Sequence, residues 1–315
     1  MTRRTTGKRP RAAVVRDALD TVSLASLLAQ NTGLLIQGDS LAVLRLMPSE
    51  SVHLIYIDPP FNTGKTRRLQ SISLGAGNKT RRGFKGREYA YEVRSDISYS
   101  DNMPIEEYLE FLGVRLQEAR RVLARTGSIY LHLDYHSVYH AKPMMDEIFG
   151  AENFLNEIIW AYDYGGRPRD RWPSKHDNIL WYAKSSRWTF NADAVERIAY
   201  MAPGLVGAEK ASRGKLPTDT WWITIVPTGS RERTGYPTQK PEKLLQRIIQ
   251  ASSSPGDVVL DFFAGSGTTG VVAERLGRKW IMADNNPEAI RIIETRLAQN
   301  FGGLMPARYQ RICLE

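Results

Sequence analysis

Residues 257–270 read Asp-Val-Val-Leu-Asp-Phe-Phe-Ala-Gly-Ser-Gly-Thr-Thr-Gly, a strand that runs into a glycine turn and opens a helix. Glycines let such a turn close tightly and bring backbone against a ligand, and the helix N-terminus favours negative charge. Around it the spacing predicts a helix over 241–251, a strand over 258–262, a helix over 268–276, a strand over 279–283 and a helix over 287–299. That βαβα order is the mark of a doubly wound, mostly parallel α/β sheet.

The first half of the chain agrees. The run VHLIYI (52–57) is continuously apolar, as in a strand buried on both faces, and it ends at Asp58-Pro59-Pro60. A basic arm and a short helix carrying Leu19, Val22, Leu24, Leu27 and Leu28 precede a first strand at LLIQGD, and a second helix over 41–47 stops at Pro48. Residues 104–124 have helical periodicity that Gly127 is expected to break before a strand over 128–134. A helix over 136–149 and a strand over 157–161 follow. From 160 to 235 six tryptophans lie among Gly, Pro and Arg with no clean alternation of strand and helix. Core packing is the expectation for any one of them.

Charge is unevenly placed. The net charge is +9, yet the N-terminal arm up to Arg16 and the stretch from Lys65 to Arg87 together hold fourteen basic residues and no acid. Patches of this kind suit a phosphate backbone, or are simply solvated segments. The stretch from 65 to about 100 reads as a long mobile loop. No apolar run reaches membrane-spanning length, and the arm has no apolar stretch behind it for a signal peptide. The lone Cys313 excludes an internal disulfide and a multi-cysteine zinc site, so a cytoplasmic setting is expected. His132, His136 and His140 recur every four residues but lack a second half-site; no metal is expected, and half-buried or surface histidines are.

Gly265, Gly267 and Gly270 satisfy the dinucleotide pattern G-x-G-x-x-G, with Asp284 closing the next strand where it can bond ribose hydroxyls. Asp261, at the strand end, decides between cofactors. A carboxylate there repels a pyrophosphate but pairs with the cationic amino group of a methionine moiety. S-adenosylmethionine has that group and no phosphate, so it is preferred to a nicotinamide dinucleotide; a glycine turn without ligand is the bland alternative.

Asp58-Pro59-Pro60-Phe61 lies at a strand's carboxyl end, where open α/β sheets place ligands. An exocyclic amino group on a base is a poor nucleophile, because its lone pair is delocalised into the ring. The Asp58 carboxylate and the Pro59 carbonyl can accept its two N–H groups and stabilise the charge that develops on nitrogen. The prolines stiffen that backbone, and Phe61 offers a face for a base to stack on. Direct in-line transfer then depends on orientation more than on a covalent intermediate.

Three segments together, Tyr56-Ile-Asp58-Pro-Pro-Phe61-Asn62-Thr-Gly64, Tyr236-Pro237-Thr238-Gln239-Lys240-Pro241-Glu242 and Asp261-Phe-Phe-Ala-Gly265-Ser-Gly267-Thr268, resemble the β-class DNA amino-methyltransferases of bacteria and phage. The resemblance covers most of residues 34–300, in the order tetrapeptide, variable region, glycine turn. It implies the class I methyltransferase sheet with a small target-recognition lobe, S-adenosylmethionine as donor, and a base flipped out of double-stranded DNA. The expected parts are an arm and helix (1–33), a catalytic half (34–160), a target-recognition region (161–235), a cofactor half (236–300) and a tail (301–315).

By the same resemblance Asp39 sits near the cofactor adenine, Thr238 and Lys240 close over its methionine end, with Lys240 on the carboxylate, and Asp284 holds the ribose. Phe263, Gly265, Ser266, Gly267 and Thr268 form the turn around it. Lys175-His176-Asp177 with Ile179-Leu-Trp-Tyr182 resembles a segment common in the variable region. Arg67, Arg68, Arg81, Arg82, Lys85, Arg87, Arg167, Arg169, Arg171 and Lys175 are the expected DNA contacts. Adenine N6 is the expected target because Asp leads the tetrapeptide; cytosine N4 and a non-catalytic nucleic-acid-binding relative are the alternatives, and RNA stays open. Relatives form dimers and accompany restriction enzymes, so a homodimer and a restriction-modification setting stay open too. Phe61 in place of the commoner Tyr keeps stacking and loses a hydroxyl, and Tyr236 stands where His is frequent.

If the basic insert grips phosphates, neutralising Arg67, Arg68, Arg81 and Arg82 together should weaken DNA binding and lower the salt slope by about 1 for each phosphate no longer neutralised. Titrations of the variant against duplex DNA at several salt concentrations measure this; an unchanged slope removes the insert from the interface.

Overall fold

The computed structural model describes residues 21–30, 33–60, 67–82, 88–99, 103–302 and 309–314. Helix α1 (Thr21–Gln30) leads into β1 (Gly33–Gln37), α2 (Ser40–Leu46) and β2 (Val52–Ile57). Strands β3 (Arg67–Arg82) and β4 (Glu88–Tyr99) follow, then α3 (Ile105–Val122), β5 (Leu123–Leu133) and α4 (Val138–Phe149). Next come β6 (Phe154–Ala161), β7 (His176–Ala183), α5 (Ala208–Arg213) and β8 (Thr220–Trp222). The last elements are α6 (Glu242–Ser252), β9 (Val258–Asp261), α7 (Thr268–Arg275), β10 (Lys279–Asp284), α8 (Pro287–Phe301) and β11 (Tyr309–Cys313).

Nine strands make one sheet in the order β11-β1-β10-β9-β2-β5-β7-β6-β8. Pairing is parallel from β11 through β5; β7 runs antiparallel to both β5 and β6, and β8 is parallel to β6. The expected doubly wound α/β sheet is therefore present. Each face is covered. Val43 and Leu44 of α2, Leu112 and Leu116 of α3 and Met145 of α4 pack with Ile55, Ile57 and Leu131 on one side. Leu244 and Ile248 of α6, Val271 of α7 and Ile293 of α8 pack with Leu54, Val259 and Met282 on the other. Strands enclosed this way have no polar face, which is why β2 is continuously apolar and buried from Leu54 to Ile57.

The winding reverses between β9 and β2, where Leu54 pairs with Val259 and Ile55 with Leu260. From there the chain builds outward to β10 in one direction and to β5 in the other. Loops diverge at such a switch point and leave a crevice beyond the carboxyl ends of the strands.

Four expectations change. Helix α3 stops at Val122 and β5 begins at once, so Gly127 lies inside a strand instead of ending the helix. A Cβ there would sit 2.9 Å from the His53 carbonyl, which explains the glycine by close backbone approach. Residues 176–183, within the region expected to read DNA, form the strand between β5 and β6; Ile179 to Tyr182 are buried. The stretch expected to be a mobile loop instead pairs β3 with β4 antiparallel, from Arg67 opposite Tyr99 to Arg82 opposite Glu88. Tyr89, Tyr91 and Val93 alternate along β4, a strand signal that the Gly, Ser and Arg content obscured. Part of the expected tail, β11, pairs with β1. Among the described residues no helix is long and apolar enough to cross a membrane.

Gly33 opens β1 against the indole of Trp280, and a Cβ there would fall 2.1 Å from the Trp280 ring. Trp280 is fully buried, so the ring has nowhere to go. Gly33→Ala should destabilise the protein by about 1–3 kcal/mol through overpacking, measured as a lower urea midpoint.

Candidate active site

Loops from the carboxyl ends of β1, β2, β9 and β10 converge, with the segment before α6, on a cavity of about 270 Å³. Most residues expected at the cofactor and the reacting group line it. They are Asp39, Asp58, Pro59, Pro60, Thr238, Lys240, Asp261, Phe263, Gly265, Ser266, Thr268 and Asp284. Sequence reasoning missed Tyr56, Phe111 and Tyr236 as walls of the same cavity. Phe61 lies outside the described residues.

The turn between β9 and α7 takes its shape from two positive backbone angles, φ 50° at Gly265 and 73° at Gly267. At Gly267 a Cβ would also lie 2.8 Å from Ile293, so only glycine fits there without strain. Carboxylates hold the turn. Asp284 Oδ2 accepts the Gly265 N–H at 2.8 Å and its Oδ1 accepts the Asn286 N–H at 2.9 Å. Asp261 Oδ1 accepts the Phe263 N–H at 3.1 Å, and its Oδ2 accepts the Thr269 hydroxyl at 2.6 Å. Burial, reinforced by the neighbouring charges of Asp58 and Asp284, pushes the Asp261 carboxyl up to about 7. Burial raises Asp284 as well.

Arg296 of α8 supports the turn from below, donating to the Ser266 carbonyl at 3.1 Å and to Thr268 Oγ1 at 2.8 Å while pairing with Glu242 of α6 at 2.8 Å. Arg296 is 2% exposed. Neither Arg296 nor Glu242 was visible as a site residue in sequence, because both lie on helices whose polar residues look like surface.

Asp39 caps α2, its Oδ1 accepting the N–H groups of Leu41 at 2.9 Å and Ala42 at 3.1 Å. Its Oδ2 accepts Arg115 of α3 at 2.7 Å, and the Arg115 guanidinium lies 3.7 Å from the Phe111 ring. Burial works against the charge on Asp39, but the Ala42 amide, Arg115 and the Leu41 amide hold its carboxyl below the usual value. An N-cap carboxylate at a helix start is favourable in itself.

Asp58 stands just beyond β2. Its Oδ2 forms an ion pair with Lys240 Nζ. Its Oδ1 is buried and has no hydrogen-bond partner among the described residues. Lys240, expected on the cofactor carboxylate, here bonds this aspartate. Its backbone carbonyl accepts Thr268 Oγ1 at 3.1 Å, which ties the Thr238–Lys240 segment to the glycine turn.

Behind Asp58 lies a buried network. Tyr56 Oη is 2.8 Å from His132 Nδ1, His132 Nε2 is 3.2 Å from Asp177 Oδ2, and the Tyr162 hydroxyl donates to Asp177 Oδ1 at 3.0 Å. His132 is thus fully buried, not half-buried or at the surface. His136, by contrast, is exposed and bonds Asp134 at 2.8 Å.

The expected DNA contacts fall into three groups. Arg67, Arg68, Arg81 and Arg82 lie along β3, while Lys85 and Arg87 lie outside the described residues. Arg167, Arg169 and Arg171 are exposed on the segment joining β6 to β7, whose ends meet where the Tyr162 N–H bonds the Lys175 carbonyl at 2.9 Å. Lys175 differs, because its Nζ is buried without a partner among the described residues. The tryptophans divide: Trp160, Trp181 and Trp221 are core, whereas Trp172 and Trp222 are largely exposed and Trp188 is partly so.

Residues 52–295 match the family model for DNA methylases of the N6/N4 amino-methyltransferase type. The DNA adenine methyltransferase YhdJ of Escherichia coli (strain K12) is 32% identical over 277 residues, 84% of this chain and 82% of that protein. The type II methyltransferase M.HpaI of Haemophilus parainfluenzae is 31% identical over 271 residues, 85% of this chain and 75% of that protein. Among solved structures, the cytosine-N4-specific PvuII DNA methyltransferase superposes with a TM-score of 0.58 at 18% identity, over 85% of this chain and 88% of its own. TTHA0409 of Thermus thermophilus, complexed with S-adenosyl-L-methionine, gives 0.56 at 20% identity, over 90% and 99%. At these identities the two structures speak for the fold.

Proposed function

The chain belongs to the DNA methylase family of N6/N4 amino-methyltransferases, and on that premise we propose that it methylates the N6 amino group of adenine in DNA, with S-adenosylmethionine as donor. One observation carries the reading: Asp58 lines the cavity and holds a buried carboxylate oxygen that has no hydrogen-bond partner among the described residues. A buried acceptor without a donor is costly, and a substrate N–H is the group that would complete it.

The cavity fits the donor. Asp39, Asp58, Asp261 and Asp284 line it, with Lys240 the one cation among its described residues. That balance rejects a pyrophosphate and with it a nicotinamide dinucleotide. Asp261 would hold the amino group, Lys240 and Thr238 the carboxylate end, Asp284 the ribose hydroxyls, and the region around Asp39 and Phe111 the adenine ring. The donor supplies an electrophilic methyl group on a sulfonium. Asp58 Oδ1 and the Pro59 carbonyl accept the two N–H groups of the target amine and orient its lone pair. As the new N–C bond would form, the sulfonium S–C bond would break with its electron pair left on sulfur as a neutral thioether, and the surplus proton of the cationic nitrogen would pass to Asp58. Lys240, bonded to Oδ2, keeps that carboxylate turned so that Oδ1 meets the amine.

Adenine is favoured over cytosine on two grounds. Asp leads the tetrapeptide, and YhdJ, 32% identical, is named a DNA adenine methyltransferase, whereas the cytosine-N4 enzyme is 18% identical. The exposed arginines 167, 169 and 171 would contact DNA phosphates.

Two measurements test this. Labelled S-adenosylmethionine with unmethylated genomic DNA should yield N6-methyladenine, and Asp58→Ala should abolish it while still binding the donor; N4-methylcytosine instead would overturn the base assignment. Donor affinity should also depend on Asp261, whose carboxyl is pushed up to about 7. Below that pH the carboxyl is neutral and attracts an ammonium weakly; above it the group is ionised. Calorimetric titration from pH 6 to 8 should therefore show tightening, and Asp261→Asn should flatten the profile.

A further inference from the structure

The Tyr56–His132–Asp177 network uses three polar side chains where apolar ones of like shape would hold a core at least as well. They are 2%, 0% and 8% exposed. They come from three strands, β2, β5 and β7, and the series ends at the catalytic cavity, which Tyr56 lines two residues before Asp58.

Proton accounting gives the series a direction. Asp177 accepts from Tyr162 on Oδ1, and although burial opposes its charge, the His132 hydrogen bond holds its carboxyl below the usual value. It is therefore an acceptor toward His132, which places an imidazole N–H on Nε2. In the tautomer with its proton there, Nδ1 carries the lone pair and the Tyr56 hydroxyl donates to it. Burial, with the charges of Asp58, Asp261 and Asp177, keeps the phenol proton in place. The proton of Tyr56 is committed away from the cavity, and its oxygen offers only lone pairs.

We propose that Tyr56 is a further catalytic residue of the methyl-transfer centre, a neutral oxygen beside Asp58 that shares the N–H held by Oδ1 as the amine becomes cationic, and that His132 and Asp177 are the residues that position it. The inference rests on the methyltransferase reading above. A neutral oxygen suits the place, because another carboxylate would add repulsion to Asp58 and Asp261. No proton travels along the series; the proton of the amine goes to Asp58, and the hydrogen bonds only fix the phenol. Asp177→Asn disturbs that fixing without touching the cavity. An amide turned toward His132 donates to Nε2, moves the imidazole proton to Nδ1 and turns it on the Tyr56 oxygen, which blocks the acceptor.

The test uses the full chain, labelled S-adenosylmethionine and unmethylated duplex DNA. Tyr56→Phe should slow single-turnover transfer about 10- to 100-fold with donor and DNA affinity unchanged, and the loss of the His132 partner should lower the melting temperature without unfolding the protein at the assay temperature. Asp177→Asn should lose a similar factor, and the double variant should be no slower than the slower single one, because all three act through one oxygen. A Tyr56→Phe enzyme at the wild-type rate, or one whose loss lies wholly in donor affinity, overturns the proposal. So do losses that multiply in the double variant, which would make these separate packing contacts. A wild-type protein that transfers no methyl group overturns the methyltransferase reading and this inference with it; an active wild type with unaltered variants overturns this inference alone.

Discussion

Four carboxylates surround one small cavity, and the described residues that line it supply a single ammonium against them. Like charges at such range cannot all stay ionised at no cost, and the molecule meets the problem in four ways. Asp39 is absorbed into a helix cap and an arginine. Asp284 is held by two backbone amides. Asp261 is half-neutralised near pH 7. Only Asp58 has the lysine, and only on one of its oxygens. The site thereby stores a demand for positive charge, which a sulfonium, an ammonium and a developing aminium can each meet in part. Much of the surrounding scaffold, including the Arg296–Glu242 pair beneath the turn, keeps these groups from relaxing away from one another.

The sheet makes that crowding possible. At the reversal between β9 and β2, strands from opposite ends of the chain lie side by side, so Asp58 and Asp261 meet although far apart in sequence. Both were legible from the chain alone, because each follows a buried apolar strand and precedes a turn with restricted chemistry. The same logic exposed Asp284, and the family pattern exposed Asp39, Thr238 and Lys240. Those residues sit where local sequence and tertiary position coincide.

What escaped has a common physical cause. His132, Asp177 and Tyr56 become a unit only when β5, β7 and β2 pair, and no periodicity within one segment encodes a neighbour on another strand. Arg296 and Glu242 look like surface residues of amphipathic helices until the glycine turn is set upon them. Strand β7 was hidden for a different reason: its five consecutive apolar residues, Ile179 to Ala183, lie in a stretch dominated by Trp, Gly and Pro. The β3–β4 pairing was masked by composition in the same way, and Gly127 was misread because a glycine that admits a close backbone resembles one that ends a helix.

Strand β1 lies between β10 and β11, on the side of the sheet that carries the glycine turn. It ends at Gln37, whereas its two partners begin at Lys279 and Tyr309. During synthesis β1 must therefore leave the ribosome long before either neighbour exists, with both of its backbone edges open. Pairings so remote in sequence are slow to close, and an apolar strand waiting for them invites wrong neighbours. The donor pocket, whose walls need β1, β9 and β10 in register, is consequently among the last parts of the molecule to form. A ribosome-bound fragment lacking these late strands has Asp58 but nowhere to hold a methyl donor, so the capacity to mark DNA arrives only with the finished sheet.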